Sequence, residues 1–154
     1  MEGKVLKKED MDKFLNSLAK HGEIHAPVKT TGTETTDTVT KFLKIKKSDE
    51  ICFDEHAWFP PKQFIFPERK TLFKFGKNRN VQKNNEEIKP AVLFGLRKCD
   101  LNAFNINDKL FLNEEHPDPD YKKRRESLLL VGLYCYTEMD EYCFCDSMDM
   151  QDYY

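Results

Sequence analysis

Apolar positions recur at helical spacing near the start of the chain and then give way to alternation. In "KKEDMDKFLNSLAKHG" (7–22), Met11, Phe14, Leu15 and Leu18 fall on one helical face, and Gly22 supplies a stop. "EIHAPVK" (23–29) predicts a short strand broken at Pro27. "TTGTETTDT" (30–38) reads as a polar loop or hairpin tip, and "VTKFLKI" (39–45) alternates as a strand. "WFPPKQFIFPERKTLFKF" (58–75) interleaves Phe with Lys and Arg. Its prolines, Pro60, Pro61 and Pro67, exclude a helix interior or a central strand, which predicts an extended, edge-like, half-buried run. Aromatics alternating with cations also serve to stack nucleic-acid bases, but a half-buried strand produces the same alternation without a ligand. "GKNRNVQKNNEEIKP" (76–90) is a polar connector.

The second half has a different pattern. "AVLFGL" (91–96) is a continuous apolar run, as in a strand covered on both faces, and "LLLVGLY" (128–134) is a second. Between them Arg97, Lys98 and Cys99 turn the chain, and Asp100 is placed to cap a helix over "LNAFNINDKLF" (101–111). Leu101, Phe104, Leu110 and Phe111 give that helix its buried stripe, and "HPDPDYKKRRES" (116–127) predicts a turn and one more helical stretch. Strand, helix, strand in this order predicts a parallel βαβ unit with a right-handed crossover. The expected fold is therefore α/β: a mixed sheet with a C-terminal parallel βαβ unit, preceded by an N-terminal helix and antiparallel strands. A chain of 154 residues fits one such domain, 1–154.

Composition narrows the class. With 39% hydrophobic and 34% charged residues, the chain has a core to bury and a charged surface, unlike a disordered segment. No apolar run approaches the roughly 20 residues that span a bilayer, and the start lacks a signal-peptide core. These features predict a cytoplasmic protein. A net charge of −2 argues against a general nucleic-acid binder. The charge is uneven: 41–89 is rich in Lys and Arg, whereas nothing basic follows Arg125 and 138–152 carries only acids. Such an end is a solvated face or a docking surface for a basic partner. His21 and His25 have no metal-type partners nearby in sequence and read as surface or strand histidines.

The five cysteines then become the main chemical question. In a reducing compartment, thiols are free or bind metal more often than they form disulfides. Cys99 falls just past the carboxyl end of the first apolar strand and Cys135 just past that of the second. In a parallel sheet these ends share one edge, where open α/β folds place ligands. Cys143 and Cys145 follow Cys135 closely, so four thiols can converge on one point. On a regular strand Cys143 and Cys145 share a face and stand roughly 6.6 Å apart, wide for tetrahedral zinc and better suited to a cube-shaped cluster, although a kinked loop serves either. Arg97, Lys98 and the positive helix start are suited to hold Cys99 as a thiolate. The spacing matches neither the tandem ferredoxin run nor a paired C-x-x-C zinc ribbon. Ordinary free cysteines, zinc ligands and cluster ligands all remain open on spacing alone.

"KPAVLFGLRKCDLNAF", "DPDYKKRRESLLLVGLYC" and "CFCDSM", with "IHAPVK" and "PPKQFIFPER" before them, resemble the iron–sulfur β subunits of cytoplasmic hydrogenases and sulfhydrogenases and the related A subunit of anaerobic sulfite reductase. The resemblance covers nearly the whole chain in the same order. It implies an electron-transfer subunit holding a 4Fe-4S cluster, with Cys99, Cys135, Cys143 and Cys145 as the matching ligands and Cys52 outside the set. It also implies redox partner subunits of a hydrogenase or sulfite reductase type complex. Full-size members continue into a ferredoxin-like part with C-x-x-C-x-x-C-x-x-x-C-P ligand sets, which this chain lacks, so the expected match is to their N-terminal portion only.

The expected role is thus a carrier of electrons within an oxidoreductase, with no catalytic residues of its own. No Gly-rich dinucleotide loop, P-loop or zincin motif stands out. The rivals are a zinc-stabilised interaction module on the same four cysteines and a thiol redox sensor using Cys143 or Cys145. Neither a nucleic acid nor a membrane span enters any of these readings.

Overall fold

The main sheet of the computed structural model, which describes residues 4–31, 38–76, 80–83, 87–113 and 115–150, has four strands, in spatial order Thr38–Lys44 (β2), Glu23–Thr31 (β1), Ala91–Leu96 (β5) and Leu128–Gly132 (β6). β1 and β2 run antiparallel, while β5 lies parallel to both β1 and β6. A second, two-stranded antiparallel sheet joins β3 (Phe73–Phe75) to β4 (Val81–Lys83). The α/β class, the antiparallel first half and the C-terminal parallel strand–helix–strand unit are those expected from the hydrophobic pattern. The tip of the Thr-rich loop, 32–37, lies outside the described residues.

Each face of the sheet has its own cover. On one, α1 (Met11–Leu18) sets Leu15 against Ile24, Ala26, Val92 and Phe94. On the other, α2 (Lys98–Phe111) and α3 (Pro119–Glu126) bring Phe104 and Tyr121 against Phe42, Leu93 and Leu96. Burying side chains on both faces of β5 explains its unbroken apolar run. Asp118 caps α3 by accepting from the N–H groups of Asp120 (2.8 Å) and Tyr121 (3.0 Å), with Pro119 in the first turn.

Several local expectations are corrected. The strand is not broken at Pro27: β1 continues to Thr31. The Pro27 carbonyl accepts from the Cys52 N–H (2.8 Å), so its main-chain polar groups face away from β2 and the missing N–H costs that ladder nothing. The 58–75 run is not uniformly extended. Pro61–Phe64 forms a 3₁₀ turn that buries Pro61 and leads into buried Ile65, and strand β3 is exposed rather than half-buried. The polar connector contributes β4. In α2, Leu110 is 66% exposed, because at 100° per residue it lies about 180° round the helix from Leu101. β6 is an edge strand and only partly covered.

One glycine shapes the edge that matters most. Gly95 has φ +81° and forms a bulge, since Phe94 pairs with Val131 and Leu96 with Gly132. The bulge turns Leu96 to the same face as Leu93, and both pack in one cluster. A Cβ on Gly95 would stand 3.2 Å from Pro27 Cδ. No helix among the described residues is long and apolar enough to cross a membrane.

Candidate metal centre

Strand ends set the positions of the first two thiols. β5 ends at Leu96 and β6 at Gly132, which are register partners, and Cys99 and Cys135 each follow three residues later. The main chain stays paired just beyond, where Leu133 N–H donates to Leu96 O (2.7 Å). Cys99 does not sit in a connecting turn. It occupies the first turn of α2, which begins at Lys98, and Asp100 caps from within by accepting from Arg97 N–H (3.0 Å). The cap is therefore one turn earlier than the sequence predicts.

Cys143 and Cys145 lie in turns, not on a strand, so the expected common strand face does not exist. Cys143 N–H donates to Asp140 O (3.2 Å), and Met148 and Met150 N–H groups both reach Cys145 O (3.3 Å). These turns fold the segment back over the sheet edge. Cys99, Cys135, Cys143 and Cys145 then line one cleft of about 440 Å³, together with His56 and Lys98. None of the five cysteines is in a disulfide. Cys52 does not line the cleft; its Sγ lies 3.8 Å from the Thr40 hydroxyl.

His56 arrives from a distant part of the chain. The segment carrying it is tied to β1 by Cys52 N–H on Pro27 O and to β2 by Trp58 N–H on Thr40 O (2.7 Å). Glu55 accepts from the Thr40 hydroxyl (2.8 Å) and from Lys29, which fixes the middle of the arch. Arg97 completes the clamp by donating to Phe53 O. As a result His56 Nε2 stands 3.4 Å from Cys143 Sγ and 3.9 Å from Asp140 Oδ2. Sequence reading missed His56, because the link spans the chain and no local spacing marks it.

The electrostatics differ from expectation at Cys99. Burial, then the Asp100 carboxylate and the neighbouring Cys145 and Cys135, push its thiol up to about 11, outweighing the helix start. Cys145 is also raised, first by burial and then by Cys143 and Cys135, with Lys98 opposing. These mutual effects mark thiols close enough to sense one another's charge. The Arg97 guanidinium reaches Cys135 Sγ (4.0 Å), so the cationic support falls on Cys135 and Cys145 rather than on Cys99. Burial likewise raises Asp100, against the pull of Arg97 and His56. Four convergent thiols with nearby cations are a soft donor set fit for zinc or an iron–sulfur cluster.

The chain is 33% identical over 144 residues, 93% of its length, to "Sulfhydrogenase 2 subunit beta" of Pyrococcus furiosus. The resemblance read from the residues is borne out to that extent. The chain spans 40% of the length of this curated relative. No family model matches the chain, and no solved structure matches it.

Proposed function

We propose that this chain, as a relative of a sulfhydrogenase β subunit, is an electron-transfer part of a multi-subunit oxidoreductase of the hydrogenase or sulfite reductase type. Cys99, Cys135, Cys143 and Cys145 would hold a 4Fe-4S cluster, which when bound supplies one-electron redox chemistry. The observation that carries the reading is the convergence of these four thiols, from two parallel strand ends and a folded-back loop, on one cleft. The surrounding residues have definite tasks. Arg97 and Lys98 offset part of the thiolate charge at Cys135 and Cys145. The turns that carry Cys143 and Cys145 line the cleft, and Met139 N–H donates to Cys143 Sγ (3.3 Å). Glu138, Glu141 and Asp146 are exposed beside the cleft and present an acidic face to other redox subunits. The test is anaerobic purification with iron, sulfide and zinc quantified. About four irons and four sulfides per chain are expected, with a visible chromophore bleached by a low-potential reductant. Colourless protein carrying zinc and no sulfide overturns the proposal.

A further inference from the structure

We infer that His56, Asp140 and Cys143 are a second set of metal donors, for a single divalent ion of the zinc class, and that by sharing Cys143 this set excludes the four-thiol one. The inference goes beyond the cluster reading and does not need it. Nε2 of His56, a carboxylate oxygen of Asp140 and Sγ of Cys143 all lie within 4.8 Å of one another. A tetrahedral ion with bonds of about 2.0–2.1 Å to nitrogen and oxygen and about 2.3 Å to sulfur spaces its donors roughly 3.3–3.6 Å apart. The N to S separation of 3.4 Å already meets that, and the N to O separation of 3.9 Å closes with a small side-chain movement.

Each donor is held from behind. Tyr142 N–H binds Asp140 Oδ1 (2.9 Å), which leaves Oδ2 toward His56. Met139 N–H steers Cys143 Sγ, and the anchors at Cys52, Glu55 and Trp58 fix the arch that carries the histidine. One carboxylate and one thiolate balance a divalent cation by themselves, whereas the four-thiol set depends on Arg97 and Lys98 to offset its two further negative charges. Nitrogen, oxygen and sulfur together suit a borderline ion, and three protein ligands leave a fourth position open to the cleft.

The experiment is anaerobic titration of the full-length, metal-free, reduced chain with cobalt(II), followed by displacement with zinc. We expect one equivalent of tetrahedral cobalt with the charge-transfer band of a single thiolate. His56→Ala and Asp140→Asn should each weaken binding about tenfold or more, and Cys143→Ser should abolish the thiolate band. Cys99→Ser should bind cobalt as the parent does, which keeps this result separate from the fate of the cluster. Asp140 is exposed and His56 sits in a loop, and circular dichroism of both variants guards against a folding artefact. A multi-thiolate spectrum that is lost in Cys99→Ser and unmoved by His56→Ala and Asp140→Asn overturns the inference, as does the absence of cobalt uptake.

Discussion

Arg97 is 7% exposed and joins three parts of the site: it bonds Phe53 O, approaches Cys135 Sγ and offers its own N–H to Asp100. The sequence places it in a turn beside a thiol; its bond to Phe53 O makes it structural as well. Arg97→Gln should therefore destabilise the chain by about 2 kcal/mol, by leaving the Phe53 carbonyl without its donor, and lower the reduction potential of a bound cluster. Lys98→Gln should lower the potential with a smaller loss of stability than Arg97→Gln. Denaturant melts and a redox titration of both variants check this, and equal destabilisation by the two would contradict it. Cys52 offers a second contrast. Cys52→Ser should keep its metal, whereas Ser at Cys99, Cys135, Cys143 or Cys145 should each lose most of the iron, measured after anaerobic reconstitution. The places of Cys99 and Cys135 were legible because each strand is a marked apolar run and counting past its end needs no tertiary knowledge; Cys143 and Cys145 were legible only as near followers of Cys135, not in their turns. His56 was not, since only the arch from Cys52 to Trp58, pinned by bonds between remote segments, brings it to Cys143.

At the scale of elements, the bulge at Gly95 decides where the site begins. Any side chain there must hold φ +81° and press on Pro27. Gly95→Ala should cost about 1–3 kcal/mol and also lower metal content, because β5 would hand α2 its first turn at a different angle. Gly76→Ala, where a Cβ meets only ordinary contacts, is the matching control. A melting-temperature loss with full metal occupancy would separate stability from placement and count against the second half of this prediction. Continuous apolar runs revealed β5 and β6, and helical spacing revealed α1 and α2, because their apolar positions repeat over enough residues to be seen; α3 buries Tyr121 and offers no such face. Periodicity missed the bulge, since Gly95 is simply a small residue in an apolar run until its neighbour in β1 is known. It also missed the continuation of β1 through Pro27, which depends on the carbonyl finding Cys52 instead of a strand.

For the whole molecule, the uneven charge seen in the sequence becomes a local feature of the cleft rim. Glu138, Glu141 and Asp146 are exposed there, and Tyr136 beside them is 89% exposed. An aromatic group amid acids is the composition of an interface core with a charged rim. Association with a basic redox partner should therefore slow as salt rises from 50 to about 500 mM, since the screening length falls from above 10 Å toward 4 Å. Glu138→Lys combined with Glu141→Lys should slow it further at low salt and remove most of the salt dependence. Stopped-flow binding or anaerobic pull-down at several ionic strengths measures both, and salt-independent association would rule out steering by this face.

The strand order also has a consequence in time. Ala91 pairs with Glu23 on one side and Leu128 on the other, so closing the middle of the sheet requires two long chain loops to form before either parallel ladder gains anything. The cleft cannot exist in a partly made chain, because Cys135 and Cys143 are positioned only after β6 has docked. Delivery of the metal proposed for this cleft would then follow the docking of β6, into a vessel already shaped. A nascent chain stalled before Leu128 would expose a single site cysteine, Cys99, with nothing to hold against it.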